Sequence, residues 1–261
     1  MKYKKYDKSF DYSYTFGQFP TIELIKSKKA RIIALICHEK LVMSDEIKSI
    51  LDYAEKHSIE VIHSTKQVEA LSSKDNCYLV GVFEKYYDKL SSGNHIVLVS
   101  PQDSGNLGTI IRTMLGLNLT NLAIIENGKN TTNKFELEKS KTSLDIFNPK
   151  VIRSSMGSIF GMNIEVFHTF DDYEKAFASN EKFAFCLDSA SFLSNTTCDK
   201  SKNFSLVFGN EATGLGKEIY SKCKCVKIEQ SSKIDSFNLA ISVGIGAYHF
   251  CSQKKGDKNE Q

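Results

Sequence analysis

The chain predicts an α/β fold: a C-terminal, mostly parallel sheet with helices on both faces, preceded by a smaller α/β domain. Three observations predict it. From His95 onward, short runs rich in Val, Ile, Leu and Phe recur with helix-like segments between most of them, the alternation that βαβ units require. These runs are apolar throughout rather than at every second residue, as strands covered on both faces are. The polar stretch Leu90-Ser-Ser-Gly-Asn94 separates them from an earlier, shorter set, and small polar residues between periodic segments mark a linker.

In the earlier set a helix begins at Pro20, and residues 31–37 form a buried strand. Ser44 then caps an amphipathic helix reaching His57, with Ile47, Ile50, Leu51 and Ala54 on one face. A strand at 60–63, a helix at 66–71 and a strand at 78–83 complete a domain over residues 1–92. In the later set, strands are expected at 95–100, 121–126, 163–167, 183–187, 205–208 and 224–228, in a domain over residues 93–252. The polar residues 253–261 read as a disordered tail.

Composition excludes several classes. With 261 residues, 41% hydrophobic and 25% charged, the chain reads as a soluble globular protein. No apolar run reaches the roughly 18 residues of a membrane span, and the basic start is followed by polar and aromatic residues rather than an apolar signal core. A cytoplasmic protein without membrane association is expected. Seven cysteines without framework spacing read as reduced thiols. Cys223-Lys-Cys225 lacks the spacing of a zinc site, so no metal is expected. None of the six histidines falls in a catalytic pattern, and neither a P-loop nor a G-x-G-x-x-G is present.

A net charge of +3 does not announce a nucleic-acid binder. Its distribution is more telling, since residues 1–31 carry eight basic side chains against Asp7, Asp11 and Glu23. Tyr3, Tyr6, Phe10, Tyr12, Tyr14 and Phe16 interleave with them. Such a segment can attract phosphates and stack on bases. Alternation at 10, 12, 14 and 16 equally describes a strand with one buried face.

Three segments concentrate the chemistry. The first, Ser100-Pro-Gln-Asp-Ser-Gly-Asn-Leu-Gly-Thr-Ile-Ile-Arg112, follows a strand; Asn106 can cap its helix, and Arg112 is one of only three arginines among 34 basic residues. In so lysine-biased a chain, an arginine marks a place where a planar fork of donors is needed. The second, Leu206-Val-Phe-Gly-Asn-Glu-Ala-Thr-Gly-Leu215, is a strand opening into a loop with two glycines, which let backbone approach a ligand closely or adopt positive φ. Glu211 within it needs a partner. In the third, Ser236 is a natural N-cap for a helix containing Gly244 and Gly246, whose cost of about 1 kcal/mol each relative to alanine suggests close packing against another backbone.

In order and kind these segments resemble the three motifs of the SpoU branch of the SPOUT-class RNA methyltransferases. Arg153-Ser-Ser-Met-Gly-Ser-Ile-Phe160 resembles the family's small-residue segment between the first and second motifs. The domain before Leu90 resembles the family's small RNA-recognition domain, akin to a ribosomal protein. The resemblance implies a C-terminal trefoil knot, a homodimer formed through the knotted domain, and transfer of a methyl group from S-adenosyl-L-methionine to a ribose 2′-hydroxyl. Ribosomal RNA is the favoured substrate and transfer RNA the second. Position by position it implies Asn106, Arg112, Glu211 and Asn238 as catalytic residues and Leu187, Gly209, Ile228 and Phe237 around the cofactor. The chain departs from the family pattern at Phe237, where Leu is usual, and at Ile228-Glu-Gln230, where Ile-Pro-Met is usual. A catalytically inactive RNA-binding protein on the same scaffold is the competing expectation, and cofactor binding separates the two.

Overall fold

The computed structural model describes residues 2–27, 29–72, 76–126 and 144–255. The chain forms two compact units, Met1–Tyr86 with Asp145–Gly161, and Tyr87–Leu144 with Met162–Gln261. Among the described residues no helix is long and apolar enough to cross a membrane.

The first unit is a four-stranded mixed sheet. Its elements are β1 (Tyr12–Phe16), α1 (Gln18–Lys26), β2 (Ile32–Cys37), α2 (Asp45–Lys56), β3 (Glu60–His63), α3 (Thr65–Leu71) and β4 (Leu79–Glu84), with strand order β1-β4-β2-β3. The two faces are separated by strand alternation. Ala34 and Ile36 point with Val80 and Val82 toward Val68 and Leu71 of α3, while Leu35 and Cys37 point toward Ile47, Ile50 and Ala54 of α2. Ser44 caps α2 as its sequence suggests, accepting from the Ile47 N–H.

The alternating aromatics belong to this core. Tyr14 is fully buried and Tyr3 nearly so, and Tyr12 meets both of them edge-on, with ring centroids 5.7 and 5.8 Å away. The segment is a strand, but with both faces covered rather than one, since Ser13 and Thr15 are fully buried too; the Tyr3 and Tyr14 rings are not free to stack on bases. Several of the basic residues are also partnered: Lys2 with Glu60, Lys26 with Glu23 and Arg31 with Glu84. Lys4 and Lys5 remain exposed.

Residues 145–161, which the sequence groups with the C-terminal domain, join this first unit. They contain α5 (Pro149–Ser154), capped by Asn148, and a 3-10 turn at Ser158–Gly161. Ser13 Oγ donates to the Phe147 carbonyl, Tyr6 hydrogen bonds to Asp145, and Phe83 meets the Phe147 and Phe160 rings.

The second unit holds β5 (His95–Val99), α4 (Ser104–Gly116), β6 (Asn121–Ile125), β7 (Asn163–Phe167), α6 (Phe170–Ala176), β8 (Glu181–Phe185), β9 (Phe204–Phe208), α7 (Lys217–Tyr220), β10 (Lys224–Val226) and α8 (Leu239–Lys255). Its sheet runs β10-β8-β9-β5-β6-β7, and all five pairings are parallel. Val97, Val99, Ala123, Ala184 and Val207 pack against Phe170 and Tyr173 of α6 and Ile219 of α7 on one face. On the other, Phe250 of α8 meets the Phe183 and Phe204 rings. Helix α8 continues to Lys255, so residues 253–255 of the expected tail are helical; the remainder of that tail lies outside the described residues.

The chain winds outward from β5 through β6 to β7, and β8, β9 and β10 lie on the other side of β5. The direction thus reverses between β5 and β9. In open α/β sheets the crevice beyond the carboxyl ends of strands at such a point is where ligands bind.

Candidate active site

The loops after β5 and β9 open at that reversal. After β5, Ser100 takes a left-handed conformation with φ 49°, and its N–H donates to the Ile125 carbonyl at 2.7 Å. The following helix starts at Ser104, one turn earlier than its sequence suggests. Its cap is Asp103, whose carboxylate accepts from the Asn106 N–H at 2.7 Å. Asn106 is thereby in the first turn with its side chain free for other work.

After β9, Gly209 is required by close approach. A Cβ there would stand 2.3 Å from the Gly214 carbonyl carbon, and Gly214 itself has φ 67°. The loop closes on itself through Asn210 and Gly214, whose N–H groups donate to each other's carbonyls. The close approach expected at Gly209 is thus to the chain's own backbone. Glu211 is carried at the exposed tip.

Asn106, Glu211 and Asn238 come together. Asn238 Nδ2 donates to Asn106 Oδ1 at 3.0 Å, and Asn106 Nδ2 donates to Glu211 Oε1 at 3.3 Å. Asn238 Oδ1 accepts from the Ala240 N–H at 2.9 Å, so Asn238 caps α8 in place of the expected Ser236. The direction of the chain is set at both ends, because a backbone N–H only donates and a carboxylate only accepts.

Beside this chain lies a cavity of about 690 Å3, within the range of small-molecule sites. Leu187, Gly209, Ile228 and Phe237 all line it, together with Glu211 and Asn238. Phe185 and Phe208 supply part of its wall, stacked at 4.3 Å. Behind them Gly246 leaves room, since a Cβ there would meet Phe185 at 2.6 Å and Phe208 at 3.2 Å. The glycines of the third motif therefore face side chains rather than another backbone: Gly244 looks toward the Thr113 methyl of α4. Cys186 also lines the cavity. Burial, helped by the neighbouring Cys225 thiol, pushes its pKa up to about 11, so it stays a neutral thiol rather than a nucleophile.

The departure at Ile228-Glu-Gln230 carries hydrogen bonds of its own. Glu229 Oε1 accepts from the Ser194 N–H at 3.1 Å, and Gln230 Nε2 donates to the Asp235 carbonyl at 2.9 Å. The second of these links holds a loop at the cavity's edge. Gln230, part of the departing Ile228-Glu-Gln230 segment, lines the cavity as well. Asn210 and Asp188 also line it and were not singled out by sequence; their one signal is proximity to a strand end. Arg112 does not line the cavity and is exposed on α4. Among the described residues, no group of three His, Cys, Asp or Glu side chains is arranged to hold a metal ion.

An adenosine-bearing sulfonium such as S-adenosylmethionine fits this site: apolar walls at Leu187, Ile228 and Phe237 alternate with strand-end backbone, and no thiolate faces the methyl donor. Comparisons with known proteins agree with the geometry. A model of the SpoU rRNA methylase family matches residues 93–248. A Listeria innocua protein provisionally named tRNA (cytidine(34)-2′-O)-methyltransferase is 26% identical over 164 residues, covering 62% of this chain and 88% of that protein. The 23S rRNA (guanosine(2553)-2′-O)-methyltransferase RlmP of Bacillus subtilis is 25% identical, covering 62% of this chain and 60% of that protein. Among solved structures, the SpoU methyltransferase AviRb of Streptomyces viridochromogenes in complex with AdoMet superposes with a TM-score of 0.77 at 19% identity, over 94% of this chain and 91% of that one.

Proposed function

The chain belongs to the SpoU rRNA methylase family, and from that premise we propose that it transfers a methyl group from S-adenosylmethionine to a ribose 2′-hydroxyl of RNA, in the cytoplasm. Ribosomal RNA is the favoured substrate and transfer RNA the second, as the names of its relatives divide. The observation that carries this reading is the Asn238–Asn106–Glu211 chain beside a cavity at the sheet's reversal point.

When bound, S-adenosylmethionine supplies an electrophilic methyl group. The protein's part is to hold a hydroxyl in line with it, an alignment that contributes up to roughly 7 to 11 kcal/mol in ideal cases. Leu187, Gly209, Ile228 and Phe237 form the cofactor's walls. Glu211, oriented by Asn106, faces the ribose. Arg112 is always charged and so is no base; it grips the phosphate beside the target ribose and stabilises the developing alkoxide. A phosphate oxygen or water takes the proton.

Three further features follow the family resemblance. The C-terminal segment is threaded as a trefoil knot, a reading supported by the contacts on both sides of α8. Gly246 packs on Phe185 and Phe208, while His249 and Gln253 bond the Thr196 carbonyl from the 186–203 loop. The molecule is a homodimer through the same helix, and the first unit recognises RNA.

The test is transfer of labelled methyl from S-adenosylmethionine to unmodified total RNA, with mapping of the product. A single 2′-O-methyl ribose is expected; cofactor binding without label in any RNA, ribosomal particles included, would overturn the reading.

A further inference from the structure

Asn210 is a buried polar side chain that the reaction just described does not use. Its Nδ2 donates to the Ser100 carbonyl at 2.7 Å, across from the loop after β9 to the loop after β5. Its Oδ1 accepts from the N–H groups of Ala212 at 2.8 Å and Thr213 at 3.1 Å, within its own loop. Both lone pairs of that oxygen are thus taken, and the side chain has no acceptor left for a ligand.

We infer that Asn210 is a positioning residue for methyl transfer: its amide ties the two strand-end loops together and thereby sets the contact between Asn106 and Glu211. This rests on the proposed reaction. Asn106 descends from Ser100 through the capped start of α4, and Glu211 is the next residue after Asn210. The hydrogen bond to the Ser100 carbonyl is a polar link directly between the two loops, one residue from Glu211. Ser100 is held in the left-handed region, which disfavours a side chain, and the Asn210 amide is one of the groups that over-determine it. The opposed needs of the two loops select this side chain. The Ser100 carbonyl requires a donor, while the Ala212 and Thr213 N–H groups require an acceptor, as in an Asx turn. Asparagine provides both on the shortest stem.

The substitutions Asn210→Ser and Asn210→Asp separate the two functions. Serine offers its hydroxyl oxygen to the local N–H groups but is too short for the Ser100 carbonyl, and aspartate accepts locally but cannot donate. One is neutral and the other charged, so agreement between them removes charge as the cause. Misplacing a reacting group by about 1 Å costs on the order of 100-fold. The expected result is a fall in kcat of about 30- to 100-fold, with cofactor Kd by calorimetry within about threefold of wild type and a folded protein by thermal melt. A folded variant whose kcat stays within about twofold of wild type would overturn the inference, as would parallel loss of kcat and cofactor affinity or the failure of both variants to fold. Wild-type protein in the same assay keeps the claims apart: if it binds cofactor yet methylates no RNA, the reaction falls first and this inference with it.

Discussion

At the scale of single residues, Arg112 and Gln230 ask different things of their chemistry. Arg112 is exposed on α4, so its replacement should leave fold and cofactor binding alone. Arg112→Lys keeps the charge but loses the planar fork that matches a phosphate. Labelled-methyl transfer should therefore drop by about 100-fold or more with cofactor Kd unchanged; near-normal turnover would remove the assigned role. Gln230 lines the cavity proposed for the other substrate. Its amide closes the turn back to Asp235 at the cavity's edge, and a neutral hydrogen bond of this kind is worth about 1 kcal/mol. Gln230→Met, which installs the family's usual residue, should weaken cofactor binding about three- to tenfold by calorimetry and leave kcat at saturation in place. Tighter binding would mean the departure is a handicap rather than a latch.

Elements are held by polar chains as well as by apolar cores. His95, at the start of β5, is fully buried. Its Nε2 meets the Ser91 carbonyl at 3.0 Å, which can only accept, so the proton sits on Nε2 and Nδ1 accepts from the Tyr173 hydroxyl at 2.9 Å. Tyr173 then accepts from Ser205, whose oxygen accepts from Asn180. Burial holds the His95 pKa below its ordinary value of 6.5, against the raising effect of the Ser91 hydrogen bond. The folded protein therefore keeps His95 neutral while the unfolded chain takes a proton as pH falls through about 6.5. Below that pH the unfolded state binds more protons, so stability is lost on acidification until the depressed folded pKa is reached. Urea unfolding at pH 7.5, 6.5 and 5.5 should show this slope, and His95→Gln should flatten it; an unchanged slope would assign the acid sensitivity elsewhere. Neither this chain of bonds nor its partners were legible in the sequence, where His95 merely opens an apolar run. The strands were, because a sheet covered on both faces writes itself as continuous apolar residues. β8 begins two residues before its expected start because Lys182, a poor strand signal, is buried by donating to the Phe177 and Asn180 carbonyls. Residues 145–161 joined the first unit through contacts such as Ser13 to Phe147, which no local pattern encodes. At the site, Asn106, Glu211 and Asn238 could be named from their motifs, whereas Asn210 acts between two loops whose meeting depends on the folded sheet.

For the whole molecule, charge and surface both bear on assembly. A net charge of +3 gives little long-range attraction to RNA, and pairing of Lys2, Lys26 and Arg31 with carboxylates reduces what the first unit offers. Two copies acting on one RNA would double that local attraction without raising charge density on either. Helix α8 has the surface for such pairing. Leu239, Val243, Ala247 and Phe250 bury one side of it, yet Ile241, Ile245 and Tyr248, spaced four and three residues apart, leave a second apolar stripe exposed, with Tyr248 67% accessible. A helix apolar on both sides is ordinarily covered on both. The proposed cover is the same helix of a second copy, since a stripe meeting its own twin about a two-fold axis needs no further complementary surface. Ile241→Asp with Ile245→Asp removes two apolar side chains, each worth about 1.5 to 3 kcal/mol when buried, and places like charges across the axis. The dimer dissociation constant should rise by at least about 100-fold in sedimentation equilibrium, with the circular dichroism spectrum unchanged. If wild type sediments as a monomer at micromolar concentration, the stripe covers something other than a second copy; if the variant stays dimeric, the copies meet through another face.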